Sequence, residues 1–203
     1  MDSQGDLFGG WTDPATQPLS VDGWMGSAVF SSCDKYRYEL HREWPDGDGH
    51  ALVVMLNPSD ANANANDPTV QRVCGFVRAA RLRRLTVVNL FAFITPYPSV
   101  MITAIDEGID PVGAPENDAR ISALAEKATI IVAAWGACSE APLLAKARAR
   151  GLCFGDGPLV GRDIHALRLT KDGAPEHPLY LPRTCKFEPY NRADLERWCG
   201  KTT

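Results

Sequence analysis

Between Ala28 and Trp44 the segment AVFSSCDKYRYELHREW alternates apolar and polar side chains, with Tyr36, Tyr38 and Leu40 on one face and Arg37, Glu39 and His41 on the other. A period of two predicts a strand pair, here a hairpin at a sheet edge. The turn PDGDGH (45–50) follows, and then the unbroken apolar run ALVVML, Ala51 to Leu56. Such a run suits a strand covered on both faces, as in a parallel sheet. Asp67 can cap a helix, Pro68 fits its first position, and Val70, Val73, Cys74 and Val77 keep one side, predicting a helix from Pro68 to about Arg81. The pattern recurs as strand Leu85 to Leu90, a Pro-rich loop, helix Asn117 to Lys127, strand Ala128 to Trp135 and helix Glu140 to Arg150. Alternating strands and helices predict an α/β domain of three αβα layers around a central, mostly parallel sheet, with the N-terminal hairpin added at its edge.

Composition leaves that picture intact. The 203 residues are 45% hydrophobic and 23% charged, values that suit one globular domain over residues 27–203. Residues 1–26, rich in Gly, Asp, Pro and Ser, read as a loose arm. No apolar run reaches the ~20 residues of a membrane helix, and the first ten residues lack a secretion signal, so a cytoplasmic protein without a membrane partner is expected. The six cysteines have no metal-type spacing and read as reduced thiols; no metal and no cofactor is called for. A net charge of −4 argues against coating nucleic acid by bulk electrostatics. Arg72, Arg78, Arg81, Arg83 and Arg84 nevertheless cluster, and Arg72, Arg83 and Arg84 are candidates for phosphate contact, set against a merely solvated helix face.

Ligands of open α/β sheets bind beyond the carboxyl ends of the strands. Four blocks fall there: LNPSDANANANDPT (56–69), NLFAFITPYP (89–98), AWGA (134–137) and HPLYLP (177–182). Asn57 follows a buried strand, where its carboxamide can hold a water or a substrate, or cap its own turn; Pro58 stiffens that turn. Asn89 ends the neighbouring strand, and the two carboxamides together favour a site. Pro58, Ser59, Asp60, Asp67, Thr69, Asn89, Phe91, Phe93, Gly136 and Leu179 are its expected substrate-binding residues. The stretch SDANANAND reads as a mobile loop over the site. His177, beside a rigid Pro, suits a general acid or a stabiliser of developing negative charge. Leu179 or Tyr180 could act as a wedge.

RYELHREW, LNPSDAN with NDPTVQR, NLFAF, Asn117-Asp118, AAWG and HPLYL together resemble the bacterial and phage family catalogued as domain of unknown function 1643, over roughly Ala28 to Leu181. The order of blocks is also similar to that of the uracil-DNA glycosylase superfamily. That resemblance implies a glycosylase-like fold, with Asn57 holding the hydrolytic water, Asn89 reading the base edge, His177 stabilising the leaving group and Leu179 in a wedge loop. Ser59 stands where that superfamily usually has Gly, and Phe91 and Phe93 are the candidates for stacking a base. The implied activity is hydrolysis of an N-glycosidic bond of a modified or damaged base in DNA or a nucleotide, with Asn57 and His177 catalytic. The alternative is a non-catalytic module of the same fold that binds a nucleotide or nucleic acid.

Overall fold

A computed structural model describes residue 20 and residues 23–200. The chain runs β1 (Met25–Phe30), β2 (Arg37–Glu43), β3 (His50–Met55), α1 (Pro68–Ala79), β4 (Arg84–Asn89), α2 (Val100–Asp106), α3 (Glu116–Lys127), β5 (Ile130–Ala133), α4 (Pro142–Cys153), β6 (Ile164–Ala166), β7 (Glu188–Pro189) and α5 (Arg192–Cys199). One seven-stranded sheet has the order β1-β2-β4-β3-β5-β6-β7. Its middle strands, β4, β3, β5 and β6, are parallel, while β1, β2 and β7 run antiparallel at the two edges.

Alternation along the strands builds a core on each face. Ala51, Val53, Leu85, Val87 and Val132 pack on the side of α1, whose Val70, Val73 and Val77 complete that core. Leu52, Val54, Val88, Ile131 and Ala133 face the other way, against Ile121 of α3, Ala145 and Ala149 of α4 and Leu195 of α5. These strands are apolar at every position because both faces are covered, as the unbroken runs predicted. Helix α1 starts as expected, with Asp67 Oδ1 accepting from the Val70 N–H at 2.7 Å and Pro68 at the first position.

Three expectations are corrected. Trp24, Met25 and Gly26 belong to the fold and not to a loose arm: Trp24 is buried and the other two pair in β1. Most of the proposed arm lies outside the described residues. Second, Arg37 does not share a face with Glu39 and His41. Val29 pairs with Glu39 but Phe30 with Arg37, so the register skips Tyr38, and a bulge of this kind re-aims the side chains beyond it. Tyr38 consequently lies under Arg120 of α3, whereas Arg37 joins Leu40 and Arg42 on the α1 side. Third, residues 60–66 are pinned rather than free. Arg42 donates to the carbonyls of Asn62 (2.6 Å) and Ala65 (3.0 Å) and to Asn66 Oδ1 (2.8 Å), and Arg37 donates to the Ala61 carbonyl. Ala61 is itself buried.

At the amino end of the parallel strands, two histidines share one hydroxyl. His41 Nδ1 is 3.0 Å and His50 Nε2 2.8 Å from Thr86 Oγ1, and His41 Nε2 is 2.8 Å from Glu39. One hydroxyl proton cannot serve both rings, so at least one ring donates to Thr86 Oγ1. Burial, with His41 and Arg84 adding repulsion, pushes the His50 pKa down to about 4. A histidine held neutral takes up its proton on unfolding, so the stability it supports is present above about pH 6.5 and is lost as pH falls toward 4. Discounted for the ring's partial exposure, the loss is about 2 kcal/mol. Urea midpoints at pH 7 and pH 4.5 should show it, and His50→Gln should remove most of the difference; an unchanged difference would assign the acid sensitivity elsewhere.

Candidate functional site at the strand ends

Strands β4, β3 and β5 are neighbours, and the chain passes from β3 to β4 on one side and then crosses back to β5 on the other, which places a topological switch at their carboxyl ends. With strands ~4.8 Å apart, the three ends lie within about 10 Å of one another. Asn89 closes β4 beside Met55 of β3, Asn57 follows β3, and Gly136 follows β5.

Asn57 is half-buried, and its amide nitrogen donates to the carbonyls of Thr95 (2.6 Å) and Pro58 (3.1 Å). The Thr95 N–H in turn donates to the Pro58 carbonyl at 3.0 Å, so the loops after β3 and β4 are tied together around this side chain. With both amide protons committed to carbonyls, the carboxamide orientation is fixed and Oδ1 is the group presented as an acceptor.

Gly136 and His177 meet. Gly136 has φ +75°, and a Cβ on it would come within 3.3 Å of the His177 Cβ, so glycine serves both the turn and the approach of the HPLYLP segment. That segment is fastened to α1 by Arg72, which donates to the Leu181 carbonyl and lies over the Phe76 ring. Burial lowers the His177 pKa, with the Asp67 carboxylate opposing the shift, so at neutral pH the ring is a neutral imidazole with one N–H to donate. Asp67 also acts on Arg37. Its charge thereby joins the α1 start, the HPLYLP segment and β2 in one neighbourhood.

Pro58 is buried, Ser59 and Thr69 are half-buried beside Asn57 and Asp67, and Asp60 is exposed. Leu179 is half-buried and the neighbouring Tyr180 83% exposed, its ring 6.4 Å from that of His177. The structure does not bring Phe91 into this group. It is 1% exposed, packed in the core on the α3 side, and it lines a separate cleft of ≈ 410 Å³ with Ile105, Ile109, Pro111, Val112 and Leu144. Phe93 packs edge-on against Tyr36. Exposed aromatics near the strand ends are instead Tyr180 and Tyr97, the latter two residues beyond Thr95.

The phosphate-contacting set is dispersed. Arg72 is spent on Leu181. Arg83 and Arg84 sit at the start of β4, the opposite end of the sheet from Asn89, and both pair with Glu43 at 2.9 and 3.3 Å. Replacing both by Ala should leave ligand binding at the strand ends unchanged within about twofold, while stranding the nearly buried Glu43 carboxylate at a cost of about 1–2 kcal/mol. A flattened salt dependence of oligonucleotide binding in that variant would return them to an interface.

Four polar residues of this region carried no role in the sequence reading: Arg37, Arg42, Thr95 and Asn117. Arg37 and Arg42 are 3% and 1% exposed. Asn117 is fully buried and donates to the Asn89 carbonyl at 3.1 Å, holding the end of β4 from the α3 side. The Asn89 amide nitrogen and the Arg37 Nε–H are buried without a partner. A reading by strict alternation assigns Arg37 to solvent, and only the skipped residue in the β2 register reverses it.

Fold and site together define an α/β domain with a polar cluster at the switch point of a mostly parallel sheet. The chain belongs to the family described as protein of unknown function DUF1643, whose model matches residues 37–179. No curated protein and no solved structure matches it. Among the described residues no helix is long and apolar enough to cross a membrane, and none of the six cysteines is joined in a disulfide.

Proposed function

We propose that this domain recognises a nucleobase and hydrolyses its N-glycosidic bond. One observation carries the reading: the carboxamide of Asn57 is locked by two backbone carbonyls, so that Oδ1 accepts from a water and orients it. Water held in this way presents a lone pair to the sugar carbon C1′. As the C1′–N bond breaks, its electron pair goes to the base nitrogen, the water oxygen bonds C1′, and the water's proton is released for eventual transfer to the base. His177, neutral at working pH, donates a hydrogen bond to the base as negative charge grows on it. Asn89, at the end of the adjacent strand with an unpartnered buried amide, is the reader of the base edge. The similarity in order of blocks to the uracil-DNA glycosylase superfamily supports the same assignment.

The substrate is an unpaired base, in a nucleotide or a single strand. A net charge of −4, with Arg83 and Arg84 both engaged by Glu43 at the far end of the sheet, supplies little to offset the few kcal/mol needed to flip a base from a duplex. The alternative, a binding module without chemistry, is favoured by one observation: Asp67, the carboxylate that acts on His177, already caps α1 and is not a dedicated general base. Incubating the protein with nucleotides and single-stranded oligonucleotides carrying a panel of modified bases, and assaying free base by chromatography, separates the two. Base release supports the enzyme; tight binding without release supports the module.

A further inference from the structure

We infer that Arg37 is an anion-binding residue of this site, its guanidinium placed to take the negative charge that the base acquires as it leaves. The inference rests on the glycosidic reading above and adds a group that reading does not use.

A cation taken out of water is expensive unless an opposite charge accompanies it. Arg37 is 3% exposed, yet none of the ion pairs among the described residues includes it, and the Asp67 carboxylate acts on it only from beyond ion-pair distance. Its Nη1 donates to the Ala61 carbonyl, and its Nε–H has no partner. Arg42 is the internal comparison. It is as deeply buried and also lacks an ion pair, but its Nε, Nη1 and Nη2 all donate to oxygens and its guanidinium lies 4.0 Å over the Trp24 ring. Arg42 is satisfied as a structural clamp; Arg37 is not.

Position supplies the second argument. The skipped residue Tyr38 turns Arg37 onto the α1 side of the sheet. By alternation with Val87, the Asn89 side chain occupies that same side, and its amide nitrogen is a second unpartnered buried donor there. The Arg37 backbone N–H donates to the Ala92 carbonyl at 2.9 Å, three residues past Asn89, so the two donors come from adjoining strands at the same end of the sheet. Two unsatisfied donors, one of them charged, match a ligand group rich in acceptors. A developing anion gains most there, because charge-assisted bonds are the stronger ones in a water-poor site.

The test uses the full chain and two free bases: uracil, neutral at pH 7, and 5-nitrouracil, largely ionised at that pH. Calorimetry on the wild type should show the ionised base bound at least tenfold tighter. Arg37→Gln should reduce that preference at least tenfold, whereas Arg37→Lys, which keeps the charge, should retain part of it. Thermal melts identify any variant that has lost the fold, and if Arg37→Gln has, the wild-type preference and Arg37→Lys decide. Equal affinity for the two bases in the wild type, binding of neither, or an unchanged preference in folded Arg37→Gln would overturn the inference. Base release by a wild type without anion preference removes Arg37 and leaves the glycosidic reading standing. Anion preference without base release does the reverse.

Discussion

Replacing Asn57 or His177 by alanine is expected to slow base release roughly a hundredfold or more while ligand affinity changes by less than about threefold. Both groups act chiefly on what the transition state adds, a water aimed at C1′ and charge growing on the base, so their loss should fall on turnover. Removing one preorganised donor of this kind costs ~10²–10³ in rate. The fold should survive, since both side chains are half-buried at loop ends and not in either core. Asn57→Ala also takes the side-chain donor from the Thr95 carbonyl, leaving the Thr95 N–H on Pro58 as the tie between the two loops, so some loosening of the loop after β4 should accompany it. The conservative Asn57→Asp keeps an acceptor but loses the two amide donors that orient it, and should lie between wild type and Asn57→Ala. Single-turnover kinetics alongside equilibrium binding checks all of this. Full turnover in folded alanine variants would remove both residues from the chemistry.

Arg42→Ala should destabilise the fold by about 3 kcal/mol, or roughly 6–12 °C in melting temperature for a domain of this size. Its guanidinium serves the carbonyls of His41, Asn62 and Ala65 and the side chain of Asn66, and covers Trp24. Truncation would leave those oxygens short of a donor and open a gap over the indole. The same variant should raise hydrogen exchange across residues 60–66 well before it affects β3, because the segment has little other anchorage than Arg37 and Ala61. A loss below about 1 kcal/mol, with exchange unaltered, would show that the segment is held by something else.

The parallel strands β3, β4 and β5 and the helices α1, α3 and α4 were legible because burial on both faces writes continuous apolar runs, and covering helices write a period near 3.6. Ends moved by up to about three residues; Arg81, at φ +59°, lies beyond the last turn of α1. Helix α2 was missed because its exposed side carries Val100, Ile102 and Ile105, which blurs amphipathicity. Strands β6 and β7, three and two residues long, are too short for any period to register. The short helix α5 was also missed, although Asn191 caps it through the Asp194 N–H. At the site, Asn57, Asn89, Gly136 and His177 could be picked out because each stands at a strand end or beside a rigid residue. The roles of Arg37 and Arg42 were hidden, since burying an arginine on a strand depends on the bulge at Tyr38 and on a loop folding back to offer carbonyls. The same folding back explains why a polar, Asn-rich segment is held in place: its backbone oxygens, not its side chains, make most of the contacts with the two arginines.

The most direct measurement is product stoichiometry on one substrate that the panel identifies. With the wild type, free base and the sugar product bearing a new C1′ hydroxyl should appear in equal amounts, with oxygen from ¹⁸O-labelled water in the sugar and none in the base. Release of base without label at C1′, or tight binding of every base tested with no product at all, would contradict a water-holding Asn57 and a glycosidic site at the ends of β3, β4 and β5.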